Sequence, residues 1–274
     1  MGNKVKGGKT TCLNCGNTFK GAFCPKCGQK GKVKRLKITE MTMDFANSFI
    51  GGDNKFANTC RDLCRRPGIM VRDYLLGKRI GYYNPLQLYV FLLTIFAVTA
   101  YLIGESSAVI DHIITKELFE LEDVGEYTSI TVVMGYLNRI LANKLFGAIV
   151  FAVLAVLPYR LLFRGCKIPR PDGSSLPLNL TEQFYTQMFR SCIGMIVSIA
   201  LLPVCLIDGT DKAVGVVYQI VVICYYIVIY KQLLGIGWIK SALLNLFAFF
   251  LTVLTGFTLL LLILIVVALR DELM

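Results

Sequence analysis

Four cysteines near the N-terminus carry the clearest chemistry in the chain. Cys12-Leu13-Asn14-Cys15-Gly16 is followed by Cys24-Pro25-Lys26-Cys27-Gly28, with eight residues between Cys15 and Cys24. Each Cys-x-x-Cys knuckle directs two thiolates at one point, and Gly16 and Gly28 permit the tight turn behind each pair. Four sulfurs at about 2.3 Å complete a tetrahedral Zn2+ shell, and a closed shell leaves no position for a reactive water. The expected role is therefore structural. Two disulfides are the competing arrangement, but the head is expected to face a reducing compartment and has few apolar residues to fold around. An iron–sulfur cluster is the remaining alternative.

Other residues offer less. Cys60 and Cys64 would share a helical face, as a lipid anchor or second metal site, but no further pair lies nearby. Cys166, Cys192, Cys205 and Cys224 fall in or beside apolar runs, where cysteine packs as a small hydrophobe. His112, the only histidine, stands beside Asp111 in an acidic stretch. Phosphate-cradling glycine loops and serine elbows are absent, so no catalytic residue is assigned and an enzyme is not expected. A second polar set is basic: Arg61, Arg65, Arg66, Arg72, Lys78 and Arg79 precede the first long apolar run and suit a membrane surface or an acidic partner.

The elements that position these residues follow from composition. Of 274 residues, 55% are apolar and 17% charged, and the apolar ones gather in long uncharged runs. Five spans are expected, at about 86–103, 145–163, 191–207, 213–230 and 242–269. The last run of 28 residues would be about 42 Å long as a helix, longer than a hydrocarbon core of roughly 30 Å, so it must tilt or bend, with Gly256 a place to do so. The expected fold class is an all-α polytopic membrane protein with a small N-terminal zinc-ribbon module. Its organisation is a four-cysteine zinc ribbon over 1–30, a basic linker with interfacial amphipathic helices over 31–84, and a five-helix transmembrane domain over 85–270.

Charge orients these spans. The net charge is +11, and residues 1–84 hold 17 of the 29 Lys and Arg. Counted by side, 24 fall with the N-terminus and five opposite, which by the positive-inside rule puts the N-terminus in the cytoplasm and the C-terminus outside. No cleavable signal peptide is read. Between head and spans, the basic linker Lys30 to Lys37 is long enough to let the metal module move. Short helices are expected near 41–50, over 55–66 and from Pro67 to Leu76, with Gly77 as the cap of the last.

The knuckles with Gly21-Ala22-Phe23 and Gln29, the run Thr59-Cys60-Arg61-Asp62-Leu63 leading to Arg66-Pro67-Gly68, and Tyr74-Leu75-Leu76-Gly77-Lys78-Arg79 before Tyr83-Asn84-Pro85-Leu86 occur in this order over about the first hundred residues. Together they resemble a bacterial membrane-protein family catalogued as domain of unknown function 3667. The resemblance implies the architecture and no activity.

A non-enzymatic membrane scaffold or adaptor, whose zinc head recruits a cytoplasmic protein, fits what is present, in a bacterial cytoplasmic (inner) membrane with anionic lipid headgroups as contacts. Small residues along the spans allow close helix packing, including a homo-oligomer. A small-molecule or lipid transporter or channel is the alternative, with only Gln219, Asn245 and hydroxyl groups recognised inside the spans. Nucleic acid is not expected, because Phe19 and Phe23 are the head's only aromatics for base stacking.

Overall fold

The computed structural model describes residues 9–33, 35–36, 54–103, 144–170, 173–206 and 211–272. The helix expected near 41–50, the acidic stretch with His112, and residues 207–210 between the third and fourth expected spans lie outside these residues.

Helix α1 (Asn54–Arg65) and helix α2 (Pro67–Leu75) meet at Arg66. Proline at the first position of α2 fixes φ where its missing N–H is no loss. The next two orphan donors find a partner across the fold: Gln232 Oε1 accepts from the Gly68 N–H at 3.0 Å and from the Ile69 N–H at 3.4 Å. α2 stops because Gly77 takes φ 111°, and the Lys78 and Gly77 N–H groups then bond back to the Asp73 and Tyr74 carbonyls. Gly68 has a second reason to lack a side chain. A Cβ there would lie 2.2 Å from the Ile229 carbonyl oxygen, so α2 reaches its neighbouring helix only through glycine.

The long helices are α3 (Pro85–Ile103), α4 (Lys144–Leu162), α5 (Leu180–Leu201, continued by a 3-10 turn to Leu206), α6 (Asp211–Leu234) and α7 (Trp238–Glu272). α5 is central, packed on α3, α4 and α6, while α7 lies against α4 and α6 and α2 lies on α6. Leu88, Leu92 and Phe96, one helical turn apart on α3, join Met188, Phe189, Cys192 and Ile193 of α5 in the core. α7 runs unbroken past Gly256, which faces Leu154 of α4. Among the described residues, three helical stretches are long and apolar enough to cross a membrane: Leu180–Val204, Ala213–Leu234 and Trp238–Arg270. Pro85–Thr99 and Ile149–Leu162 are shorter apolar stretches. Large apolar side chains such as Ile239, Phe250 and Leu262 stand exposed along α7, a surface that water does not favour.

One helix departs from the sequence reading. The run expected at 191–207 is the second half of a helix that starts at Leu180. Asn179 and Glu182 form a reciprocal capping box that fixes this start, and the polar residues that follow are covered by protein. Cys192 Sγ donates to the Pro85 carbonyl at 3.3 Å, so residues 180–191 extend past the beginning of α3. There Tyr185 and Phe189 pack on Tyr74 of α2, with ring centroids 6.0 and 5.2 Å away.

Candidate metal centre and its mounting

The head folds as two copies of one turn, offset by twelve residues. Strand β1 (Thr10–Thr11) pairs antiparallel with strand β2 (Thr18–Phe19), and Phe23 bridges to Lys30 in the same sense. Within each copy the first cysteine donates its N–H to the residue five on (Cys12 to Asn17, Cys24 to Gln29, both 2.8 Å). Its carbonyl accepts from the glycine four on, Gly16 at 3.0 Å and Gly28 at 2.8 Å. Both glycines sit in the left-handed region, at φ 74° and 75°, which strains any other residue.

The turns bring Cys12, Cys15, Cys24 and Cys27 together with all four sulfurs within 4.8 Å of one another. Two of the edges are Cys12–Cys27 at 3.5 Å and Cys15–Cys24 at 3.6 Å. A tetrahedron with 2.3 Å metal–sulfur bonds has edges of about 3.8 Å, so the donor set fits one metal ion and is compatible with zinc. None of these sulfurs is within disulfide distance of another, and all four cysteines are free. Electrostatics point the same way. Burial raises the Cys24 thiol, but N–H groups of Cys27 and Lys26 and the neighbouring thiols outweigh it and bring it down to about 6. The Asn17 backbone lowers the Cys15 thiol, yet burial and the three other sulfurs together push it up to about 12. Four crowded thiols cannot all ionise by themselves, and a cation at their centre removes that conflict. Among the described residues, Phe19 is the one large apolar side chain in the head's small core.

This head is held. Residues Arg35 and Leu36 of the linker are pinned to the start of α5, in place of the loose tether expected there. Arg35 Nε and Nη2 grip the two oxygens of Glu182 at 2.6 Å each, and Nη2 also donates to the Pro177 carbonyl. Pro177 closes strand β4 (Ser175–Pro177), which pairs with strand β3 (Lys167–Pro169) between α4 and α5. Leu36 is buried in the bundle core and its carbonyl accepts from Asn179 Nδ2 at 3.2 Å. A Cβ on Gly77 would meet Leu13 and Val33, so the first knuckle rests on the turn after α2.

The six basic residues divide into two groups. Arg66 pairs with Asp62 at 2.7 Å, Lys78 with Asp73 at 3.0 Å, and Arg79 lies 5.8 Å from the Tyr74 ring centre. Burial raises the Asp62 carboxyl, but Arg66, Tyr82 and Arg61 together hold it below the usual carboxylate range. Arg61, Arg65 and Arg72 take part in none of the described ion pairs. Arg61 and Arg65 are exposed and Arg72 is half-buried. Cys60 packs against the core and Cys64 is exposed. Burial pushes the Cys60 thiol up to about 11 and raises that of Cys64, so neither is a ready nucleophile.

The span expected at 191–207 leaves Arg190 just outside it, whereas the fold buries Arg190 within α5. Gln183, Gln187 and Arg190 repeat at helical spacing on one face of that helix, all 2% exposed or less. Tyr230 of α6 accepts from Gln183 Nε2 and, at 3.1 Å, from Gln187 Nε2. The Arg190 guanidinium lies 3.8 Å from the Tyr226 ring centre and 4.5 Å from that of Tyr159. The visible signal was the i, i+4, i+7 polar pattern on α5, together with Tyr226 and Tyr230 four apart on α6.

The model of the family described as Protein of unknown function (DUF3667) matches residues 53–97, which take in α1, α2 and most of α3. This match supports membership of that uncharacterised family, and the matched stretch lies beyond the cysteine knuckles. Among curated proteins and solved structures none matches the chain.

Proposed function

We propose that the chain is a non-enzymatic integral membrane scaffold of a bacterial cytoplasmic membrane. Its organisation is a zinc ribbon over 1–30, a linker and interfacial helices over 31–84, and five spans within 85–270, with the N-terminus inside and the C-terminus outside. Structural Zn2+ on Cys12, Cys15, Cys24 and Cys27 holds the ribbon, and the ribbon recruits a cytoplasmic protein. The observation that carries this reading is the mounting. A four-sulfur module is clamped to the helical bundle by Arg35 and Glu182 and still presents Phe23 to solvent at 58% exposure. A rigid knuckle with an exposed aromatic is the kind of surface that anchors protein contacts. Arg61, Arg65 and Arg72 attract anionic headgroups alongside it. The buried polar set around Arg190 favours a second reading, in which the bundle handles a small molecule or a lipid.

The test is purification in mild detergent from the host membrane, comparing proteins that accompany wild type and Cys24→Ser, with reporters fused at both termini. The scaffold reading expects a partner lost with Cys24 and opposite reporter signals at the two ends. The same partners in both preparations would remove the head's role. A cytoplasmic C-terminal reporter would overturn the five-span topology.

A further inference from the structure

Arg190 is 2% exposed and has no carboxylate partner among the described ion pairs. Nη1 donates to Gln187 Oε1, while Nε and Nη2 have no hydrogen-bond acceptor. These two atoms form one edge of the guanidinium, the same edge with which Arg35 grips both oxygens of Glu182. The chain thus shows how that edge is used when an oxyanion is present. Burying a guanidinium among tyrosines without such a partner is costly, and aromatic faces offset only part of the desolvation.

On the Tyr226 side of Arg190 lies a cavity of about 220 Å³, lined by Tyr89, Ser191, Gly194, Met195, Ser198, Tyr218 and Tyr226. Five of those seven residues carry hydroxyls. Tyr226 is shared, since its ring covers the Arg190 guanidinium and also forms part of the cavity wall. Ser191 and Gly194 follow Arg190 on α5. At about 30 Å³ per water, the volume equals roughly seven waters, enough for a head group and too small for an acyl chain. The site also lies near the start of α3, where Cys192 meets Pro85.

We propose that Arg190 and the hydroxyl-lined cavity on its Tyr226 side form a phosphate-binding site, in which the Nε–Nη2 edge holds two phosphate oxygens and the serine and tyrosine hydroxyls hold the rest. This site is separate from the zinc head and independent of its recruiting role. The phosphate comes from a lipid headgroup or from free phosphate in solution.

The test titrates detergent-purified full-length protein, followed by its melting temperature, with short-chain phosphatidic acid, short-chain phosphatidylcholine and inorganic phosphate. Arg190→Lys keeps the charge but loses the two-pronged edge, and Ser198→Ala with Tyr218→Phe alters only the cavity, which keeps the test open if Arg190 variants fold poorly. A saturable rise with either phospholipid but not inorganic phosphate, weakened about tenfold or more by Arg190→Lys and weakened by the cavity variant, supports a lipid headgroup site. The same pattern with inorganic phosphate supports free phosphate. No saturable rise with any of the three, or equal rises in wild type and both variants, overturns the site.

Discussion

Replacing Arg35 by alanine isolates the bond that mounts the head. Glu182 is 1% exposed and its carboxylate receives Arg35 through both oxygens, whereas the Arg35 side chain is 33% exposed. Removing one partner of a fully buried pair costs about 3–5 kcal/mol, and an exposed pair is worth about 1 or less. Arg35 lies between these limits, and Glu182 keeps the Asn179 N–H at 2.9 Å. The expected loss is therefore about 2–3 kcal/mol, a 30- to 150-fold rise in the open population of the first turn of α5. Hydrogen exchange of the amides at 179–183 reads that opening directly. Because the loss comes from a stranded carboxylate, adding Glu182→Gln to Arg35→Ala should restore part of the protection, a coupling that a double-mutant cycle reports. Unchanged exchange in Arg35→Ala, or losses from the two changes that simply add, would mean that no stranded carboxylate opens this turn.

Three further outcomes follow from the same geometry. Cys24→Ser should lose bound zinc, measured as metal per chain, while membrane extraction and helix content stay as in wild type, because the ribbon's small core lies apart from the bundle core. Gly68→Ala should lower the melting temperature strongly, by a destabilisation of about 3 kcal/mol or more, since its Cβ would strike a backbone carbonyl. Asp62, held below the usual carboxylate range in the fold, contributes stability that is present above the unfolded value of about 4 and is lost as pH falls through the folded value. Exchange of α1 amides should therefore speed up below about pH 4. Asp62→Asn should flatten that dependence and cost about 1 kcal/mol at neutral pH, through weaker bonds to Arg66 and Tyr82.

The cysteine cluster was legible because its signal is local: two knuckles, two glycines and a short separation leave little for tertiary structure to decide. The α2 helix was legible for the same reason, with Pro67 opening it and Gly77 closing it. Arg190 was not legible. A polar residue beside an apolar run reads as a loop when only hydropathy is followed, and the covering groups, Tyr159, Tyr226 and Tyr230, come from two other helices. The clamp was hidden likewise, because Arg35 and Glu182 are 147 residues apart. A basic linker looks like a tether until the carboxylate it meets is known. Gly68 gave a turn signal, but its close approach to Ile229 depends on a helix about 160 residues further along the chain.

The central claim is that the metal-held head touches a partner, and a photo-crosslinking residue in place of exposed Phe23 tests it most directly in intact cells. A discrete crosslinked protein is expected, which disappears when Cys24→Ser is added and persists when Arg61 and Arg65 are replaced. No adduct at Phe23, or the same adduct with the cysteine cluster broken, would contradict it.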